Sequence, residues 1–350
     1  MTGRQLRALL PAFMLMLVAC NPVAPGAGPS GSPASSSSVT GAGSGTSAVT
    51  RVSGLDKPFG VAAGGGYVWV TEYQRGNLVR IDPATSRIVD RVHFDGRAAQ
   101  LLVQDGFVWV IDDQRRFIIQ VDATSNRVIN QIPMQPAFDP AFDLSGLAGS
   151  AGSVWVTLGS RTVYRGRGVL GELVRVEHLG ELVRIDTATS ATSTILIDGV
   201  ATGVTVGGDA VWVTTVLPEP ASIFRIDPAT NRVVASVDTG HPVTGPIAYA
   251  NSGLWVANND GYLTRIDSRT NKVVGNFEVG SPKWAAMLSV GKNLWISAPL
   301  DNILARFDPA TGAVASTVRA GSRPQMFALL GTDMWVASYG DGTLVKLPIN

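Results

Sequence analysis

The sequence is short of cysteine, histidine and charge. One cysteine in 350 residues excludes an internal disulfide framework and any multi-cysteine metal site. Three histidines leave little for a histidine-rich metal or acid–base centre. Charged residues make up 16%, against the usual quarter, and the formal charge is +1. That balance excludes nucleic-acid binding driven by bulk positive charge. No Gly-x-Ser-x-Gly elbow, glycine-rich phosphate loop or dense calcium-loop alternation is present. The longest apolar run, Ala8–Ala19, is too short for a permanent membrane span, which takes roughly 20 residues. What the chain does have is 45% hydrophobic residues, which exclude disorder throughout, and 39 Gly with 20 Pro, which fit a chain full of turns.

Arg4 and Arg7 precede that apolar run, and it ends Leu17-Val18-Ala19-Cys20. This is the layout of a secretory signal, and its end resembles the lipobox of bacterial lipoproteins. The resemblance implies cleavage before Cys20 and lipidation of its thiol, the one nucleophile of its kind in the chain. Residues 1–19 are then a signal peptide, and their removal turns the formal charge of +1 into −1. Residues 20–47 read as the lipidated cysteine and a flexible linker, because no charge occurs from Asn21 to Thr50 and the composition is almost all Pro, Gly, Ala, Ser and Thr. Such a coil spans about 30 Å. The expected location is extracytoplasmic, on the cell membrane of a bacterial envelope.

Residues 48–350 are one pattern repeated seven times. Trp69, Trp109, Trp155, Trp212, Trp255, Trp295 and Trp335 each sit between apolar neighbours, at gaps of 40, 46, 57, 43, 40 and 40. Most are followed by a second mark, such as Arg80-Ile81-Asp82, Arg184-Ile185-Asp186, Arg225-Ile226-Asp227, Arg265-Ile266-Asp267 or Arg306-Phe307-Asp308. A period near 40 made of short β-rich runs predicts propeller blades. Each unit reads as four strands, a to d. In the fifth unit these are Thr244–Ala250, Gly253–Ala257, Gly261–Asp267 and Lys272–Glu278. The Trp lies on strand b, where it packs one blade on the next. The Asp opens the c–d turn, as in Asp82-Pro83-Ala84-Thr85. The last unit stops after strand c, and a spare β-run at Ser47–Ser53 precedes the first. The prediction is all-β: a seven-bladed β-propeller of four-stranded blades, with the N-terminal strand closing the last blade and removing an open edge.

The repeat resembles the YVTN-type β-propeller family and, in the same broad group, the streptogramin (virginiamycin B) lyases. The first resemblance implies the fold and no particular function, and the expected role is a monomeric binding module that holds an envelope protein, a glycan or a small anion, with no cofactor and no nucleic acid. The second implies a metal-dependent C–O lyase that uses histidine and carboxylate. Of the histidines, His93 falls on an outer strand and His178 in an insertion. Only His241, opening the Gly240-His241-Pro242 loop, is placed for such chemistry, and no second histidine or glutamate stands at a matching neighbouring position. No catalytic or metal-binding residue is therefore assigned. Asp112-Asp113 and Asn258-Asn259-Asp260 sit where hairpins favour Asn and Asp for their turns.

In a four-stranded blade the d–a and b–c connections share one face of the disc. Aligned on the Pro of each d–a loop or its equivalent position, the preceding residues are Lys57, Arg97, Asp139, Val200, His241, Ser281 and Arg323. Three are permanent cations and one is acidic. Lys283 adds a cation, and the neighbouring Trp284, the one Trp outside the repeat, either packs the channel mouth or stacks on a ligand. Between Trp155 and Arg184 the third unit carries extra residues, including Arg161, Tyr164, Arg165 and Arg167, and a tandem copy of Gly-Glu-Leu-Val-Arg. That insertion either lengthens a hairpin or forms a basic flap. The expected ligand site is thus Lys57, Arg97, Arg165, His241, Lys283, Trp284 and Arg323, facing an anion.

Overall fold

Residues 49–135, 142–164, 176–217, 221–280 and 283–349 are described by the computed structural model. Side chains at 142, 160–164, 176–179 and 244 lie outside that description. Cys20 and the signal and linker segments fall outside it too, as do Asp139, Arg165, Arg167 and Ser281.

Seven antiparallel four-stranded sheets are present. The first runs Pro58–Gly64, Tyr67–Glu72, Asn77–Asp82 and Arg87–His93, and the other blades repeat this order. The innermost strands neighbour one another in sequence, and the seventh (Pro324–Leu330) packs beside the first (Pro58–Gly64). The sheets thus form a closed ring, a seven-bladed β-propeller. The last blade is completed from the other end of the chain. Its outer strand is Thr50–Val52, with Thr50 opposite Lys346 and Val52 opposite Leu344. Ring closure through the N-terminal strand is as the strand count predicts.

Each repeated residue has a visible task. Every tryptophan of the repeat is buried, and each lies in an apolar cluster shared with the following blade. Trp69 packs with Val108 and Ile119 of the second blade, and Trp335 packs with Val68 and Ile81 of the first. Across the b–c ladder, Trp69 faces Arg80 and Trp212 faces Arg225. These cations lie over the indole and reach the next blade. Arg184 lies 5.2 Å from the Trp155 ring and donates to the carbonyl of Pro228 at 2.8 Å. Lys346 lies 5.1 Å from the Trp335 ring and donates to the carbonyl of Pro83 at 3.1 Å, fastening the seventh blade to the first. The Asp of each mark caps its turn. Asp227 accepts from the Ala229 N–H and the Thr230 hydroxyl.

The innermost strands of all blades but the sixth carry a bulge. In the first blade the register slips between Pro58 and Val61, and Thr71 fills the gap. Its hydroxyl accepts from Gly60 N–H and donates to the carbonyl of Ala99 in the second blade. Thr157 repeats this between the third and fourth blades. The bulges re-aim the start of strand a, which is where the d–a loop enters.

The insertion of the third blade is a longer hairpin. Strand b continues to Tyr164 and strand c begins at Val176, with Tyr164 opposite Val176. Glu72, which ends strand b in the first blade, corresponds to Leu158. The ladder therefore runs six residues further, about 20 Å at the usual strand rise.

Candidate functional site

The d–a and b–c connections meet on one face, and one hydrogen bond repeats there. The N–H of the fourth residue after the repeated Trp donates to the carbonyl of the residue that precedes strand a. The pairs are Tyr73 to Lys57, Asp113 to Arg97, Val216 to Val200, Asn259 to Pro242 and Tyr339 to Arg323, at 2.7 to 3.3 Å. The backbone thus assembles Lys57, Arg97, Val200 and Arg323 as equivalent positions around the mouth. The fifth blade corrects the alignment on proline. There Pro242, not His241, takes the equivalent place, because the bulge between Val243 and Ile247 is one residue longer.

Two tyrosines that the sequence reading passed over are central. Tyr73 and Tyr339 stand four residues after Trp69 and Trp335, where other blades have Asp113, Gly159, Val216, Asn259 and Pro299. That fixed offset was the available signal. Arg97 and Lys57 each reach back over the tyrosine of the preceding blade. Arg97 lies 5.3 Å from the Tyr73 ring and Lys57 lies 5.1 Å from the Tyr339 ring. Arg323 lies over Tyr339 as well, at 5.4 Å. Phe59 packs against Tyr73 at 5.4 Å.

The three cations have different electrostatic surroundings. Arg97 donates through Nε to Asp113 Oδ1 at 2.9 Å, and Tyr73 donates its hydroxyl to Asp113 Oδ2 at 2.8 Å. Burial pushes the Asp113 carboxyl up, against the Tyr73 and Arg97 hydrogen bonds that pull it down. Burial also raises the Tyr73 hydroxyl, with Asp113 adding to the effect, so Tyr73 is held as a donor. Nearby charges pair off as well. Asp56 is taken by Arg75, Glu72 by Asp56 N–H and Asn77, and Asp341 by Ser322 N–H and Ser338, with Arg51 at 3.8 Å. Lys57 and Arg323 have no carboxylate partner among the described residues, and the Arg323 Nε is buried without a hydrogen-bond partner.

Lys57 and Arg323 share one more property. Their φ angles are +48° and +54°. Side chains rarely adopt this region, at a cost of about 1 kcal/mol or more, and each of these residues precedes a proline. Apart from Arg116 in a hairpin turn, the other positive-φ residues that are not glycine are Ser, Asn and Asp.

The remaining expected residues are not brought to this cluster. His241 is engaged within its own blade, with Nδ1 2.6 Å from Asp260 Oδ2 and its ring stacked on Tyr262 at 5.0 Å. Trp284 is buried in the cluster between the fifth and sixth blades, so it packs the ring and offers no face to a ligand. Lys283 is exposed beside it. His93 is exposed on an outer strand, 2.9 Å from Asn77. Among the described residues, no three of His, Cys, Asp and Glu gather closely enough to hold a metal ion. Arg165 lies outside the described residues.

The fold and this mouth define a β-propeller with a charged entrance. No protein-family model matches the chain, and no curated protein does. Among solved structures it is similar to a chain of Kuenenia stuttgartiensis hydrazine synthase. The identity is 15% and the TM-score 0.67, over 88% of this chain and 99% of that one. At that identity the likeness concerns the propeller fold alone.

Proposed function

We propose that the chain is an exported, lipid-anchored β-propeller that acts as a binding module at the bacterial cell envelope and takes an anionic ligand at the mouth of blades seven, one and two. The observation that carries the reading is that Lys57 and Arg323 are held over Tyr339 with no carboxylate among the described residues to neutralise them. An aromatic ring holds a cation in place without cancelling its charge. A carboxylate would have done both. Two like charges kept near one ring, with their backbones strained, are a costly arrangement that an anion relieves.

Anchoring rests on Cys20, and binding rests on the mouth, so the two parts are tested separately. Cys20→Ser is expected to leave the precursor uncut or to release the protein from membranes. A mutant processed and membrane-bound as before would sink the anchor. Replacing Lys57, Arg97 and Arg323 together by Gln is expected to preserve the fold and weaken retention on an anionic matrix at low ionic strength, where exposed charges are least screened. Unchanged retention would remove the mouth from consideration.

A further inference from the structure

We infer that the mouth holds one compact dianion of phosphate type between Lys57 and Arg323, and that this anion locks the seam at which the ring closes. The inference rests on the anion-binding reading above and narrows it in charge, size and consequence.

Charge comes first. Of the three cations, Arg97 is matched by Asp113. Lys57 and Arg323, with no carboxylate partner among the described residues, contribute two further positive charges. A doubly charged oxyanion matches that number, whereas a monocarboxylate leaves one charge over. Both groups lie within 5.4 Å of the centre of one tyrosine ring, and an oxyanion with several acceptor oxygens is the class of ligand that can accept from both.

Placement gives the consequence. Lys57 belongs to the first blade, five residues after the closing strand Thr50–Val52. Arg323 and Tyr339 belong to the seventh blade, whose strand Thr343–Pro348 receives that closing strand. The two cations therefore stand on opposite sides of the junction between the chain's two ends. A closing strand of three residues is a short clasp. An anion bridging Lys57 and Arg323 adds a link across the same junction, and a ligand that binds only the closed ring must stabilise closure.

The test uses the full-length chain and inorganic phosphate, with chloride at equal ionic strength as the reference. Isothermal titration is expected to give one phosphate per chain. Lys57→Gln and Arg323→Gln are each expected to weaken it by about tenfold or more, the scale of one lost charge-assisted hydrogen bond. Lys283→Gln, a cation exposed away from the cluster, should change it by less than about twofold, and Lys57→Arg should retain it, which guards against a variant that merely misfolds. Phosphate should also slow amide exchange at Thr50–Val52 and Leu344–Lys346 in the wild type and not in the two Gln variants. A free phosphate and the terminal phosphate of a larger molecule share this chemistry. Tighter binding of glucose 1-phosphate than of phosphate assigns the second source, and equal or weaker binding assigns the first. The inference fails if phosphate does not bind, if Lys283→Gln costs as much as Lys57→Gln, or if exchange at the closing strand is unaffected. Loss of phosphate binding alongside intact retention on a polyanion would overturn this inference and leave the broader reading standing.

Discussion

Lys57 and Arg323 pay for their position in backbone strain, and glycine adopts positive φ without it. Lys57→Gly is therefore expected to raise unfolding stability by about 1 kcal/mol less the entropy that glycine adds to the unfolded chain, while anion retention falls. Urea unfolding and column retention read the two effects. A variant that loses both stability and binding would mean the backbone strain is not what it seems. The turn aspartates make a second residue-scale prediction. Asp82 is held below the usual carboxylate range by the Thr85 hydroxyl and then by Ala84 N–H. Asp227 is held down by Ala229 N–H and then the Thr230 hydroxyl, and Asp122, Asp186 and Asp267 follow suit. A depressed folded pKa contributes stability that is complete above the unfolded value near 3.8 and is lost as pH falls through the folded value. The melting temperature should fall on acidification below about pH 4, and less steeply in an Asp82→Asn, Asp227→Asn double variant. Parallel profiles would show that these carboxylates do not govern acid stability.

At the scale of the element, each blade interface is sealed by the tryptophan of the blade before it. Trp212 is fully buried between the fourth and fifth blades and donates to the Gly207 carbonyl at 3.0 Å. Trp212→Ala should cost about 3–5 kcal/mol by calorimetry or urea unfolding, and Trp212→Phe clearly less. A cost below about 1 kcal/mol would mean the interface collapses around the gap. The outer strands show a related economy. In the first, second, fourth, fifth and sixth blades their register slips at one position, and the residue left unpaired is Val89, Ile129, Val234, Val274 or Ala315, each exposed. These exposed aliphatics are bulge residues. A bulge on an outer edge twists the strand and blunts pairing with another sheet.

For the whole molecule the decisive element is the strand that closes the ring. Deleting residues 47–53 removes the outer strand of the seventh blade and uncovers Thr343–Pro348, so the melting temperature should drop sharply. Deleting residues 22–44 should leave it nearly unchanged. Equal melting curves for the two truncations would overturn the closure as a source of stability. The same seam carries Lys346 to Pro83, and Lys57 and Arg323 above it.

Fold was legible because propeller blades are quasi-periodic. A Trp followed by an Arg across the next hairpin, as Trp69 and Arg80, recurs around the chain with only the loop between them changing length, which is satisfied when each blade meets its neighbour in the same way, and the missing seventh outer strand could be counted. The mouth was legible in part. Sequence order placed Lys57, Arg97 and Arg323 on one face, because strand alternation fixes which loops emerge together. It could not distinguish the matched Arg97 from the unmatched Lys57 and Arg323, since their partners Asp113 and Tyr339 lie on other loops, and for Lys57 on another blade. It misplaced His241 by one residue, because a bulge is a property of the hydrogen-bond ladder and leaves no mark in composition. It also left Trp284 open between ligand and core, and packing between two blades decided for the core. The local pattern of the chain determined the blades and their number. Which cations remain without a counter-charge was decided only when the ring brought the seventh blade against the first, because charge compensation depends on neighbours in space.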